Sequence, residues 1–271
     1  MVGLKEELSK VPQRFSPIFV SHGAPTLVLE DHPARNFLAT LGKEIGRPEA
    51  ILCVSAHWET AEPTVSTAER PETIHDFYGF PEQLYRLRYP ASGAPDLARR
   101  TAGLLRGAGF TCNEDPTRGL DHGAWSPLIL IYPEADIPVT QLSIQPGQGP
   151  EHHLAVGRAI GRLADEGVLI LASGGAVHNL GQFRVDRRTP ADWATAFETW
   201  LTERLAAGDT AAIAGYAEHS EGMKAHPTDD HFLPLFVALG AAGEGAHGRV
   251  LHRSFAHGSL AMSAYAMDKA A

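Results

Sequence analysis

The chain has 271 residues, a net charge of −9, and 44% hydrophobic against 20% charged residues, the balance of an ordinary globular protein. A chain of this length buries about three quarters of the surface it would expose unfolded, so its core needs no staples. The acidic balance and the lack of a Lys/Arg run leave no electrostatic footprint for a nucleic-acid partner.

The two cysteines, Cys53 and Cys112, cannot form a disulfide framework, and Cys53 sits in the apolar run 51–54, where it reads as a small buried hydrophobe. The first ten residues carry acids and lack the apolar core of a signal peptide. No stretch approaches the roughly 18 apolar residues of a spanning helix. A cytoplasmic location without a membrane partner is expected.

In chain order, apolar and partly β-branched runs at 16–21, 50–56, 139–144 and 168–173 read as short strands buried on both faces, as in a parallel sheet under helices. Helices are predicted at about 33–45, 94–107, 151–166, 190–207 and 231–241. In the second of these, Leu97, Thr101, Leu104 and Leu105 share one stripe. Pro190 and Asp192 mark the start of the fourth. This alternation predicts a layered α/β fold, one domain over 1–271. Two stretches resist the pattern. Residues 60–92, with Tyr78, Phe80 and Tyr85, read as a long ordered excursion, and 208–230 as a polar loop.

The histidines are informative by position. His22 follows the first strand, His57 closes the second, and His178 comes just after the strand 168–173 and the turn Gly174-Gly175. Ligands of open α/β sheets bind beyond the carboxyl ends of the strands. A single histidine there is commonly a polar cap, but three at equivalent ends point to a site. Two further clusters are read as loops: 119–125, with Asp121, His122 and Trp125, and 226–231, in which Pro227 stiffens the approach to His231. Imidazole suits zinc, iron, copper and nickel alike. Gly174-Gly175 has no basic neighbour and reads as room for backbone beside the metal site. The G-x-G-x-x-G match at 243–248 follows a helix and precedes the strand-like run 250–255, the reverse of a dinucleotide site.

Five ordered segments, Ser21-His22-Gly23-Ala24-Pro25, Ser55-Ala56-His57-Trp58-Glu59, the run from Gly119 to Trp125, the run from Ser173 to Leu180 and the run from His226 to Leu235, resemble the signatures of the 4,5-DOPA extradiol dioxygenase family. That family belongs to the LigB-type, class III extradiol ring-cleavage enzymes, and the resemblance runs from about 17 to 265. It implies a single-domain three-layer α/β/α sandwich with a mononuclear non-haem Fe(II) for activity, often replaced by Zn(II). By motif position, His22, His57 and His231 match metal ligands. His178 matches a residue described as a fourth ligand or as the acid/base beside the metal, and His122 a catalytic histidine that either stands behind the ligands or contacts the substrate. Where the wider non-haem iron pattern has a carboxylate, this chain offers His231, with Glu59, Asp229 and Asp230 as nearby alternatives.

The resemblance implies O2-dependent opening of a catechol ring next to its diol, with catechol and O2 as small-molecule partners and a monomer or small homo-oligomer as the assembly. An uncharged His178 would take and return a phenolic proton, a role suited to an imidazole near neutral pH. Trp58, Phe77, Tyr78 and Trp125 are candidates to wall the substrate ring. The alternatives are a zinc-dependent hydrolase using the same histidines, or a non-enzymatic metal-binding protein on the same fold.

Overall fold

The computed structural model describes residues 13–184 and 189–270; the N-terminal segment read above for a signal peptide lies outside the described residues. The strands are β1 (Ile18–Ser21), β2 (Ala50–Glu59), β3 (Thr64–Ser66), β4 (Asn113–Asp115), β5 (Val139–Ile144), β6 (Val168–Gly174), β7 (His247–His252), β8 (Phe255–Ala256), β9 (Leu260–Ala261) and β10 (Ala264–Asp268). The helices are α1 (Pro33–Ile45), α2 (Glu82–Arg86), α3 (Pro95–Gly107), α4 (His122–Ile131), α5 (Gly149–Ile160), α6 (Asp192–Ala206), α7 (Thr210–Ala214), α8 (Gly222–Ala225) and α9 (Leu233–Ala242). None is long and apolar enough to cross a membrane.

The main sheet runs β4-β3-β5-β2-β6-β1-β10-β7. Its centre, β5, β2, β6 and β1, is parallel, as the continuous apolar runs predict. The sheet as a whole is mixed, because β3 joins β5, and β10 joins β1 and β7, in antiparallel pairs. Alternate residues of a strand face opposite sides, and β2 shows what this builds. Ile51 and Cys53 join one apolar cluster with α1 and α4, while Leu52 and Val54 join another with α3, α5, α6 and α9. Two cores on the two faces of one sheet make the expected three-layer α/β/α sandwich.

Helix 33–45 and strand 139–144 lie where the sequence places them. The predicted helix 151–166 divides into α5 and a 3₁₀ segment, Gly161–Glu166. The polar stretch 208–230 is not one loop but carries α7 and α8. A larger correction concerns 119–125, expected as a loop: Asp121 is the N-cap of α4, its side chain accepting from the Ala124 amide, and His122 is the first helical residue. Nine of the ten residues of α4 are buried, so no polar face alternates with an apolar one and the helical period is missing from the sequence.

Candidate metal centre

Because β1, β6 and β2 are parallel and in register, with Ser21 opposite Gly174 and Ser55 opposite Ser173, their carboxyl ends meet at one edge. Each end delivers a histidine there. His22 leaves β1 with its amide donating to the Gly174 carbonyl, and His57 lies within the last residues of β2. His231 arrives from the loop before α9, which crosses the end of β6 at close range. The Gly175 amide donates to the His231 carbonyl at 2.8 Å, and a Cβ on Gly174 would lie 2.1 Å from that oxygen. Only glycine admits this approach, so Gly174-Gly175 is room for backbone beside the site.

The three imidazoles turn their Nε2 atoms toward one another: His22 to His57 at 3.0 Å and His57 to His231 at 3.2 Å. Their other nitrogens are each held by an oxygen. His22 Nδ1 is 2.9 Å from Ser173 Oγ, whose own proton goes to the Gly123 carbonyl, so the serine accepts from the histidine. His231 Nδ1 is bonded to Asp230, and His57 Nδ1 lies 3.4 Å from Asp76 Oδ2. The histidines hold Asp76 in its ionised form: burial pushes its carboxyl up, but His122 and His57 bring it down to about 2. Asp230 is likewise held well below the usual range, chiefly by His231 acting against burial. An ionised carboxylate only accepts, so each Nδ1 carries the proton and each Nε2 a lone pair.

Burial keeps these rings neutral. It lowers His22 well below its ordinary value, with the neighbouring histidines adding to the effect. His57 falls to about 4, from burial and then His122, and His231 to about 3 although Asp230 opposes the shift. Three buried lone pairs converging at hydrogen-bond distance have no proton to share. Two metal–nitrogen bonds of about 2.1 Å at angles between a right angle and tetrahedral span about 3.0–3.4 Å, which matches the observed spacings. The donor set fits a divalent metal, and the Nδ1 oxygens are the outer partners such ligands require.

His122 and His178 stand beside this group. The His122 amide donates to Asp76 Oδ1 at 2.9 Å. Its Nδ1 is 3.0 Å from Asp76 Oδ2, within charge attraction though off the line of a straight hydrogen bond. Asp76 thus ties His57 and His122 together. His178 lies flat on His231, centroids 3.6 Å apart and planes 6° apart. A Cβ on Gly123 would fall 2.3 Å from Ser55 Oγ, so α4 can bring His122 this close only through a glycine. Asp121 clamps the opposite side of His57. It accepts from Ser55, which receives the His57 amide, and from Arg118, which also donates to the His57 carbonyl.

The five histidines floor a cavity of about 320 Å³. Phe77 belongs to its wall, as the sequence suggests, together with Phe80, Leu180, Phe183 and Leu260. Trp58 does not line it. Next to His57 in an extended strand, its side chain leaves by the other face and is buried under Arg118, 5.1 Å from the ring centroid. Trp125 is fully buried, its Nε1 donating to the Ile74 carbonyl, and Tyr78 is 92% exposed. Of the carboxylate alternatives, Asp230 grips His231 from behind, and Asp229 belongs to none of the groups whose ligand atoms lie together among the described residues. Glu59 opens onto a second cavity beyond His178. His226, from the same motif as His231, is a core residue stacked on Phe232 with Nε2 donating to the Ala176 carbonyl. Sequence reasoning missed Asp76 and gave no role to Ser173; neither position carries a local signal.

A family model described as the catalytic LigB subunit of aromatic ring-opening dioxygenase matches residues 17–267. The 4,5-DOPA dioxygenase extradiol of Beta vulgaris is 44% identical over 252 residues, which is 91% of this chain and 94% of that protein. The protein of the same name from Escherichia coli (strain K12) is 39% identical over 245 residues, 89% of this chain and 90% of its own length. The crystal structure of an uncharacterized protein from Escherichia coli K12 superposes with a TM-score of 0.80 at 35% identity, covering 93% of this chain and 99% of that one.

Proposed function

Since the chain belongs to the LigB family of aromatic ring-opening dioxygenases and is an extradiol ring-cleavage enzyme, we propose that it opens a catechol at Fe(II) held by His22, His57 and His231. The observation that carries the ligand assignment is the convergence of three neutral Nε2 lone pairs, with Ser173 and Asp230 bonded to Nδ1 of His22 and His231 and the Asp76 carboxylate 3.4 Å from Nδ1 of His57. The metal held by these residues would supply Lewis-acid and electron-transfer chemistry.

The protein's own groups do the rest. His178 acts as the acid/base rather than as a fourth ligand. Its ring is parallel to and stacked on that of His231 and stands outside the group formed by His22, His57 and His231. Burial lowers its basicity, against the opposing pull of Asp230, so it meets the substrate neutral and takes a phenolic proton at a ring nitrogen. His122, with Nδ1 turned to Asp76, presents Nε2 to accept from a catechol hydroxyl. Phe77 and Phe80 exclude water from the ring.

A three-imidazole set lacks the negative charge of the two-histidine, one-carboxylate pattern. Asp76 and Asp230 return part of it through the ligands' Nδ1 atoms, and Zn(II) remains a competitor for the same nitrogens. The substrate is a vicinal diol of the kind named for the relatives, DOPA or a related catechol. The relatives' dioxygenase names leave the zinc-hydrolase and non-enzymatic readings unsupported.

Anaerobic reconstitution with Fe(II), then air and a panel including L-DOPA and caffeate, tests this reading. A yellow semialdehyde band with matching O2 uptake is expected, and both should vanish in His22→Ala. Bound iron with neither signal would refute catechol cleavage.

A further inference from the structure

We propose that His257 selects among catechols by receiving a carboxylate at the end of the substrate's side chain. The inference rests on the ring-opening reading of the cavity and concerns the wall away from the metal ligands. Strands β8 and β9 form a hairpin, with Phe255 opposite Ala261 and Ala256 opposite Leu260. At its tip, His257 and Gly258 both have left-handed backbone, φ 51° and 77°, and the Ser259 amide donates to the Ala256 carbonyl. Turns of this kind favour Asn, Asp or Gly at the first position, so a histidine there carries local strain.

The surrounding structure holds the tip in place. The Arg184 amide donates to the His257 carbonyl at 3.0 Å and the Ala191 amide to the Gly258 carbonyl at 2.8 Å. Ser259 Oγ donates to the Gln182 carbonyl at 3.3 Å. The His257 ring stacks on Phe183 at 4.2 Å between centroids, and both residues line the cavity. Neither ring nitrogen has a hydrogen-bond partner among the described residues. The wall around it is apolar: Phe77, Phe80, Leu180, Phe183 and Leu260. Among the described lining residues, apart from the five histidines of the floor, only His257 and Thr26 bring polar side chains to the cavity, and no acid does.

At about 320 Å³ the cavity is near the small end of those that hold drug-sized ligands. It has room for a catechol ring and a short arm. With the diol on the floor, that arm crosses apolar surface toward the His257 wall. A carboxylate placed there without a donor would be strongly disfavoured, and one met by the imidazole gains a charge-assisted hydrogen bond. The site therefore favours catechols with a short carboxylate-terminated arm over equally large neutral ones.

Anaerobic calorimetry on the zinc-loaded protein compares 3,4-dihydroxyphenylpropanoate with 4-propylcatechol, which is similar in size and uncharged. The wild type should bind the carboxylate about 10- to 100-fold more tightly. His257→Asn and His257→Gly both suit the turn; they should abolish that preference and leave 4-propylcatechol affinity unchanged. No preference in the wild type, a preference that survives both variants, or equal weakening of both ligands would overturn the assignment. If neither diol binds the loaded wild type, the catechol reading fails and this proposal fails with it.

Discussion

Two groups of buried histidines in this protein share their burial and lowered basicity but differ in what their ring nitrogens face. His153, in α5, accepts the Gln145 amide at Nε2 and donates to the Gly149 carbonyl from Nδ1, so both nitrogens are satisfied by backbone. His226 spends Nε2 on the Ala176 carbonyl. In His22, His57 and His231 the Nδ1 atoms are held by side-chain oxygens and the Nε2 atoms face each other. Burial lowers His153 to about 4 and His226 to about 3, as far as the cluster. Depressed basicity thus reports burial in both groups. What separates the proposed ligand set from the core histidines is lone pairs that meet without a proton between them.

Removing one member of each group breaks the comparison most sharply. His57→Ala should abolish stoichiometric metal binding and ring opening together, read by metal analysis and O2 uptake. Its metal-free form should melt no lower than the metal-free wild type, because one of three opposed lone pairs is gone. A large loss of metal-free stability would place His57 with His153 and sink the distinction. Next in size, His178→Ala should keep the metal and lose turnover by about 10²–10⁴-fold. Metal lost along with activity would make it a ligand, against the stacked geometry.

Asp76→Asn acts one layer out. It removes the charge that orients His57 and His122, and metal affinity should weaken by about 10- to 100-fold, measured by competition with a chelating dye. A change confined to turnover, with metal affinity intact, would confine Asp76 to holding His122.

Much of the site was legible because the carboxyl ends of parallel strands are where α/β sheets bind ligands: His22, His57 and His178 could be placed at one edge from the apolar runs alone. For His231 the stiffening Pro227 was a local hint, but its place as third ligand came from the family resemblance. Trp58 shows how a boundary decides a role. With the strand ending at 56 it is free to turn inward, whereas the extension of β2 to Glu59 puts it opposite His57 by simple alternation. Asp76 was out of reach because its partners, His57 and the start of α4, meet only through the fold of the irregular stretch 60–92. The antiparallel edge was hidden for another reason: β10, with Ala264 and Ala266, has little of the β-branched character that marks a strand.

The smallest effects belong to the core histidines and are visible without metal. His153→Leu leaves the Gln145 amide unpaired, costing about 1–3 kcal/mol of stability while metal content stays whole. The same residue sets a pH dependence whose sign follows from its wiring. Folded His153 titrates at about 4 against 6.5 unfolded, so between these values the unfolded chain holds a proton that the folded one refuses. Its contribution is complete above pH 6.5 and is lost as pH falls toward 4, about 3 kcal/mol in all. The proton would have to enter at Nε2, where the Gln145 amide already points. Denaturant melts of the metal-free protein from pH 7 to 4 should therefore fall more steeply in the wild type than in His153→Leu. Parallel curves would mean that the imidazole is protonated in the fold at no cost, and the two groups of histidines would then have to be distinguished by metal binding alone.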